Sequence, residues 1–123
     1  GQNFFDELSK CSMAINLSRG SPIKHYSSDR ISSLLGNGLL TFIHDGYMYQ
    51  DFFNKKEIVT YKNISDLNKK IIFYKNNPKL SKKIAFNGCK KAHQIFNNKL
   101  ISNFIVQKTM NNDFISNYIW DNG

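Results

Sequence analysis

The sequence of 123 residues lacks most features of membrane, secreted and disulfide-rich proteins. Its longest apolar run, residues 39–43, is far below the roughly 20 residues that a membrane-spanning helix needs. No basic segment followed by an apolar stretch marks a signal peptide. The two cysteines, Cys11 and Cys89, form neither a disulfide framework nor a metal-ligand spacing. We expect two buried thiols in a reducing, cytoplasmic compartment, with a single long-range bridge as the alternative.

Several classes of catalytic site are missing as well. No Gly-rich phosphate loop of Walker or dinucleotide type occurs. His25, His44 and His93 are scattered, without Cys or carboxylates at metal-ligand spacing. Neither a Ser-His-Asp nor a Cys-His arrangement can be assembled from the spacing alone. We therefore expect no metal and no cofactor.

What the sequence does contain is a hydrophobic fraction of 41% and an uneven positive charge. The composition predicts one folded domain over residues 1–123. Residues 1–54 carry four Lys or Arg against five Asp or Glu, whereas residues 55–123 carry thirteen against four. Such a basic region can attract nucleic acid, anionic lipid or phosphorylated ligands, although joint richness in Lys, Asn, Ile, Phe and Tyr is also typical of an AT-rich genome. Regular aromatic interleaving is missing, which argues against nucleic acid.

Hydrophobic periodicity predicts the order β-α-β-(short α)-β-α-α-α and hence a three-layer parallel α/β sheet of three strands. The first strand is apolar at nearly every position, which predicts burial on both faces. Ser65 is the expected N-cap of the first late helix, and Gly88 is expected to mark close packing. So narrow a sheet leaves an exposed edge that two copies could pair through. Predicted strands span residues 13–17, 39–43 and 57–61. Predicted helices span residues 4–10, 29–35, 65–74, 78–95 and 98–110. Residues 47–53 are expected to form a short helix or a loop, residues 114–120 a short helix or an ordered tail, and residues 98–123 together a helical extension.

The loop between the first strand and the second predicted helix concentrates the polar residues. Backbone N–H groups at a helix start attract anions, and neighbouring Arg or Lys side chains add charge-assisted contacts to phosphate. The alternative is that the hydroxyls and Asp29 simply cap the helix while the cations are solvated. His44-Asp45-Gly46, after the second strand, is either a plain turn or a second approach to a ligand. The candidates in the loop are Arg19, Lys24, Ser27, Ser28, Asp29 and Arg30.

Three segments in this order resemble the C-terminal part of GT-B glycosyltransferases, closest to the group 1 type that includes spore-maturation-like enzymes. They are SKCSMAINLSRG, then SSDRISSLLGNGLLTFI, then EIVTYKNISDLNKKIIFYKNNPKLSKKIAFNGCKKAHQIFN. The resemblance covers about residues 9–96. It implies a Rossmann-like lobe that binds a nucleotide-diphosphate sugar at its strand ends and transfers a sugar, as in hexosyltransferases. The chain would supply the fourth to sixth strands of that lobe, a fragment beginning at Gly1 rather than Met.

The resemblance also implies partners and site residues. The acceptor and usually the base would come from an N-terminal lobe, so the fragment alone is expected to be inactive. The ribose-binding Glu of the family aligns with Ser33, and a second family Glu aligns with His25. Asp29 is the expected substitute acceptor, with Arg30 holding phosphate or the sugar ring; the alternatives are a different donor or an inactive member. An anionic membrane surface at the inner face is a further expected partner. A non-catalytic α/β module and a basic nucleic-acid-binding domain are the alternatives. The expected donor-binding residues are Arg19, Lys24, Ser27, Ser28, Asp29, Arg30 and Ser33.

Overall fold

The computed structural model describes residues 2–18, 20–110, 118 and 119. The predicted order of elements is confirmed, with β3 two residues shorter at its start than expected. Two single 3₁₀ turns, Asp45–Tyr47 and Tyr49–Asp51, occupy most of the aromatic segment after β2. Most of the predicted last helix, residues 114–120, lies outside the described residues. The elements are α1 (Gln2–Ser9), β1 (Met13–Asn16), α2 (Asp29–Gly36), β2 (Leu40–His44), β3 (Val59–Tyr61), α3 (Ile64–Asn76), α4 (Pro78–Ile95) and α5 (Asn98–Thr109).

The three strands form one parallel sheet in the order β1-β2-β3. Met13 pairs with Leu40, and Phe42 pairs with Val59. The expected burial of β1 on both faces is wrong, because β1 is an edge strand and three of its four residues are only half-buried. The strand buried on both faces is the central one, β2, in which Leu40, Thr41, Phe42 and Ile43 are buried. The predicted parallel α/β class is confirmed.

The alternation of side chains along β2 separates two apolar cores. Phe42 points to the face covered by α3 and the first half of α4, where it meets Leu67 and Ile84. Ile43 points to the other face, where it meets Ile31 of α2 and the aromatic segment after β2. The sheet is therefore covered by helix or aromatic segment on both faces, which is a small Rossmann-like arrangement.

The predicted stop of α2 at Asn37-Gly38 is confirmed by its geometry. Gly38 has a left-handed backbone, with φ of 74°. Its N–H donates to the carbonyl of Leu35 at 3.0 Å, and the N–H of Leu39 donates to that of Leu34 at 3.2 Å. This pair of bonds is a Schellman motif, which satisfies the last carbonyls of the helix and directs the chain into β2.

At the start of α3, the predicted cap at Ser65 is wrong. The N-cap is Asn63, whose Oδ1 accepts from the N–H of Asp66 at 2.9 Å. Both residues are good caps, so the sequence offered two starts. The carboxylate of Asp66 also accepts from the N–H of Lys62 at 3.1 Å, which favours the earlier start.

Helix α4 runs past the amino ends of β2 and β3. A Cβ on Gly88 would lie 2.2 Å from the carbonyl oxygen of Glu57, so the predicted close packing at this glycine is confirmed. Cys89 Sγ and His93 Nε2 contact the carbonyl oxygen of Gly36 at 3.4 and 3.2 Å. The expectation of two buried thiols is wrong, since Cys11 is exposed and Cys89 only half-buried.

In the described ranges, no helix combines the length and hydropathy that a membrane crossing requires.

Candidate functional site

An open cleft of about 690 Å³ lies where β1 and β2 end and α2 begins. In parallel α/β sheets, ligands bind at the carboxyl ends of strands. The volume falls within the range of ordinary ligand sites, roughly 300–1,000 Å³. The cleft is lined by Leu17, Ser18, Ser21, Ile23, Tyr26, Ser28, Arg30 and Tyr47.

The loop on one side of this cleft is fixed to the segment that follows β2. The N–H of His25 donates to the carbonyl of Tyr47 at 2.9 Å. The His25 side chain reaches Asp51, with Nε2 2.8 Å from Oδ2, and its ring lies 4.5 Å from that of Phe52. His25 has a φ of 58°, a left-handed conformation that costs energy outside glycine and persists only where contacts hold it. The loop is thus held in one conformation by groups more than twenty residues away.

Arg30 connects the first turn of α2 to the end of β1. Its Nη1 donates to the carbonyl oxygen of Leu17, while the side chain remains part of the cleft wall. Ser28 occupies the N-cap position with extended backbone, but its hydroxyl makes no capping hydrogen bond. The first N–H groups of a helix have no partners within the helix. An uncapped helix start beside a guanidinium is therefore a favourable environment for an anion.

The structure separates the predicted site residues into groups. Ser28 and Arg30 line the cleft, whereas Lys24 and Asp29 are exposed and are not lining residues. Ser27 lies in the wall of a second, smaller cavity beside Tyr49. Arg19 lies outside the described residues.

Ser33 is directed into its own helix. Its Oγ donates to the carbonyl of Asp29 at 2.9 Å, as serines within helices often do. The hydroxyl is thus engaged by backbone at the position that the resemblance assigns to a ribose-binding Glu.

The cleft also contains residues that the sequence reasoning did not select. Ile23 and Tyr26 are exposed and apolar or aromatic, and Tyr47 is a buried aromatic residue contributed from beyond β2. A signal existed for Tyr47, because it follows the His44-Asp45-Gly46 turn at the end of a predicted strand. The cleft thus combines cationic, hydroxyl and aromatic groups.

Behind Tyr47, the carboxyl ends of β2 and β3 carry an aromatic cluster. The His44 ring lies 6.3 Å from that of Tyr47 and 5.4 Å from that of Tyr61. His44 Nδ1 accepts from the N–H of Gly46 at 3.1 Å; because this bond is shorter than the 3.5 Å approach of Asp45 Oδ1, we assign the ring proton to Nε2. Burial raises the pKa of Tyr61, and nearby Tyr47 adds to the rise.

Tyr49 lies on the other side of the loop. Burial raises the pKa of Tyr49, and a side-chain hydrogen bond with Ser27 partly opposes that rise. Tyr49 and Tyr61 therefore remain protonated at neutral pH and are unsuited to act as bases.

Asn16, the last residue of β1, is only 4% exposed. Its Oδ1 has no hydrogen-bond partner among the described residues. A buried amide oxygen without a partner is costly. Asn16 does not line the cleft, but it directly precedes Leu17, which does.

The described residues contain no preformed metal site. No group of three or more His, Cys, Asp or Glu side chains among residues 2–18, 20–110, 118 and 119 is placed to hold a metal ion.

A family model described as glycosyl transferase-like matches residues 1–105, which is most of the chain and includes every element from α1 to α4. Comparison with curated proteins and comparison with solved structures gave no match.

Proposed function

Because the chain belongs to the glycosyl transferase-like family, we propose that the cleft at the carboxyl ends of β1 and β2 binds a nucleotide-diphosphate sugar. The observation that carries this proposal is the position of Arg30 in the cleft wall, beside the uncapped start of α2. Diphosphate is a strong anion, and both groups favour it. The family and the cleft thus support the same class of ligand.

The chemistry of Arg30 suits this role. A guanidinium has five N–H donors, and the bond to Leu17 occupies Nη1. The remaining donors can form the paired contacts with phosphate oxygens that Arg makes better than Lys. The bond to Leu17 also orders the side chain before ligand binds, which lowers the entropy lost on binding.

The rest of the cleft suits the uncharged parts of the donor. The aromatic ring of Tyr26 and the side chain of Ile23 offer apolar walls for a nucleobase or sugar ring, and Ser18 and Ser21 offer hydroxyls. Lys24 and Arg19 belong to the same loop, and we assign them to the outer phosphate. Asp29, next to Arg30 in the chain, is our acidic candidate for a ribose hydroxyl, since Ser33 is engaged by backbone.

In the reaction, this lobe would act on the leaving group. When the bond from the sugar to the diphosphate breaks, negative charge develops on the phosphate oxygens, and Arg30 with the helix start would stabilise it. Transfer to an acceptor would require a second, acceptor-binding lobe of GT-B type.

Calorimetric titration of the chain with UDP, GDP and their sugar conjugates tests the proposal. We expect one of them to bind, and Arg30→Ala to weaken that binding by about ten- to a hundredfold, the range for a lost hydrogen bond to a charged group. Arg30→Lys retains the charge but not the paired geometry, so an intermediate loss is expected. Lys10→Ala, outside the cleft, is the matched control and should bind as the unmodified chain does.

Two outcomes contradict the assignment. The first is binding that Arg30→Ala leaves unchanged, which would place the nucleotide elsewhere. The second is the absence of binding to every nucleotide and sugar conjugate while circular dichroism shows a folded chain.

A further inference from the structure

Charge of one sign occupies a long segment of this chain. Residues 67–112 contain no Asp or Glu and no Arg, and all their charge comes from lysine. Most of α3, all of α4 and all of α5 fall within this segment. The ten lysines are Lys69, Lys70, Lys75, Lys79, Lys82, Lys83, Lys90, Lys91, Lys99 and Lys108.

Most of these lysines are not neutralised within the described ranges. Lys70 pairs with Asp66 at 2.9 Å, and Lys108 lies over the ring of Phe104 at 5.6 Å. None of the other eight has a described carboxylate within 4 Å. The segment therefore presents positive charge that is available to an external partner.

Large apolar side chains are exposed among these lysines. Phe86 is 69% exposed, Ile72 60% and Phe73 51%. Helical spacing places Phe86 on one outer stripe of α4 with the lysines three and four residues before it and four residues after it. These lysines are Lys83, Lys82 and Lys90.

The exposed sides of α3 and α4 form one surface. Leu67 and Ile71 of α3, and Ile84 and Ala85 of α4, pack on the same face of the sheet. The opposite sides of both helices therefore face outward together. We call this the lysine–phenylalanine surface, and it consists of Lys69, Ile72, Phe73, Lys79, Lys82, Lys83, Phe86 and Lys90.

We propose that the lysine–phenylalanine surface docks on an anionic lipid bilayer. Lysines near an anionic leaflet are attracted to its surface potential, and apolar side chains between them enter the boundary between headgroups and acyl chains. The long lysine stems allow the ammonium groups to stay in the headgroup layer while their methylenes lie deeper. The charge of this surface and the charge of such a leaflet are complementary.

Two features favour a bilayer over nucleic acid. Arginine, which makes the planar paired contacts of phosphate and base recognition, is missing from residues 67–112. The aliphatic Ile72 is 60% exposed beside the lysines, and an aliphatic side chain gains little on nucleic acid but partitions into lipid. The cleft lies at the opposite end of the sheet from the Gly88–Glu57 contact of α4, so docking need not occlude it.

Co-sedimentation with vesicles tests the proposal. The full chain is mixed with vesicles of phosphatidylcholine alone and with vesicles that also contain phosphatidylglycerol, at low and high salt. We expect binding to the phosphatidylglycerol vesicles only, weakened by salt because exposed charges are screened. Each charge removed should lower the partition coefficient about fivefold. The double variant Lys82→Glu, Lys83→Glu should therefore bind at least a hundredfold more weakly.

Phe86→Ser separates insertion from simple charge attraction. It leaves every charge in place and should lower binding about tenfold if the ring enters the lipid. The double variant Lys10→Glu, Lys55→Glu is the matched charge control, because both lysines are exposed, lie outside α3 and α4, and have no role in the cleft. It should retain most of the binding.

The opposite results overturn the proposal. If the Lys10, Lys55 control loses as much binding as the Lys82, Lys83 variant, net charge alone is responsible. If Phe86→Ser binds vesicles like the unmodified chain, the ring does not enter the lipid and the proposal is wrong. It is also wrong if a single-stranded oligonucleotide displaces the vesicles and binds with the same dependence on Lys82 and Lys83. Equal binding to both vesicle types, or none to either while the chain is folded, also refutes it.

Discussion

Replacing Gly88 with alanine should destabilise the fold, although the same change within a helix usually stabilises it. Alanine is favoured over glycine in a helix interior by about 1 kcal/mol. At Gly88, however, the added Cβ would lie 2.2 Å from the carbonyl oxygen of Glu57. That atom is backbone and cannot rotate away. The sign of the change in unfolding free energy therefore depends on which effect is larger.

The distances indicate that the steric effect is larger. Ordinary van der Waals contact begins at 3.4 Å, so α4 and the loop at Glu57 must separate by about 1.2 Å. Glu57 directly precedes Ile58 and Val59, which are buried on opposite faces of the sheet. The loop therefore cannot move without disturbing both cores. Overpacking costs about 1–3 kcal/mol, and the approach to a backbone oxygen places this site in the upper part of that range, about 2–3 kcal/mol. After the gain in helix propensity, a net loss of about 1–2 kcal/mol remains.

Urea denaturation followed by circular dichroism at 222 nm measures this loss, and thermal unfolding should show a fall in Tm of about 4–8 °C. The control is Gly36→Ala, also within a helix. A Cβ there would meet nothing within 4 Å, and Gly36 lacks a positive φ. The control should be neutral or stabilising. If Gly88→Ala is as stable as Gly36→Ala, then α4 does not pack against the loop at Glu57 and the proposed close approach is wrong.

Three further changes test other contacts. Asn63→Ala should cost about 1 kcal/mol through the lost N-cap of α3, whereas Ser65→Ala should cost little; equal losses in urea denaturation would contradict the assignment. The hydrogen bond from Lys70 lowers the pKa of the Asp66 carboxyl. The stability that the ionised Asp66 contributes is therefore present above the ordinary Asp pKa and is lost as pH falls through the lowered value. Asp66→Asn should flatten the pH dependence of stability in that acidic window, and an unchanged profile would refute this. Asn16→Leu should raise stability by about 1 kcal/mol, because it removes a buried amide oxygen without a described partner, and a loss would reveal a partner for the amide.

The class of the fold could be predicted from the sequence because its strongest signals are local. The apolar run at residues 39–43, the turn at Asn37-Gly38 and the long amphipathic helix Pro78–Ile95 each specify an element through nearby residues. The strand order could not be derived in this way. Both β1 and β2 read as apolar runs, but only β2 has a strand on each side, so its residues are buried and those of β1 are not. Which of two apolar strands is central depends on pairing across the sheet.

The candidate site was predictable only where local sequence signals define it. Ser28 and Arg30 follow a predicted strand and begin a predicted helix, a location that a sequence pattern reveals. The turn before Tyr47 is visible in the sequence, but the position of Tyr47 beside Ser28 and Arg30 is not, because it depends on the hydrogen bond from His25 to its carbonyl. Ser33 lies on the same helix as Arg30, but its hydroxyl is bonded to a backbone carbonyl. Helix phase and long-range contacts decide which polar residues face the cleft.

The family resemblance leads us to expect two acidic residues in the cleft, and neither is present. The positions of Asp51 and Asp29 indicate which carboxylate could bind a ribose in their place. His25 stands at one of the two expected acidic positions, and its Nε2 lies 2.8 Å from the carboxylate of Asp51, so an acid from another segment reaches the same place. Because the Asp51 carboxylate is bonded to His25, it stabilises the loop and is not a free acceptor for a ligand. Asp29 is exposed in the first turn of α2, and its carboxylate forms no ion pair with the described residues. A carboxylate acceptor next to Arg30 in the chain is what a ribose hydroxyl beside a bound diphosphate requires. Asp29→Asn should therefore weaken nucleotide binding while leaving the affinity for inorganic pyrophosphate unchanged, whereas Arg30→Ala should weaken both. A parallel loss of both affinities in Asp29→Asn would assign the acidic role to another residue.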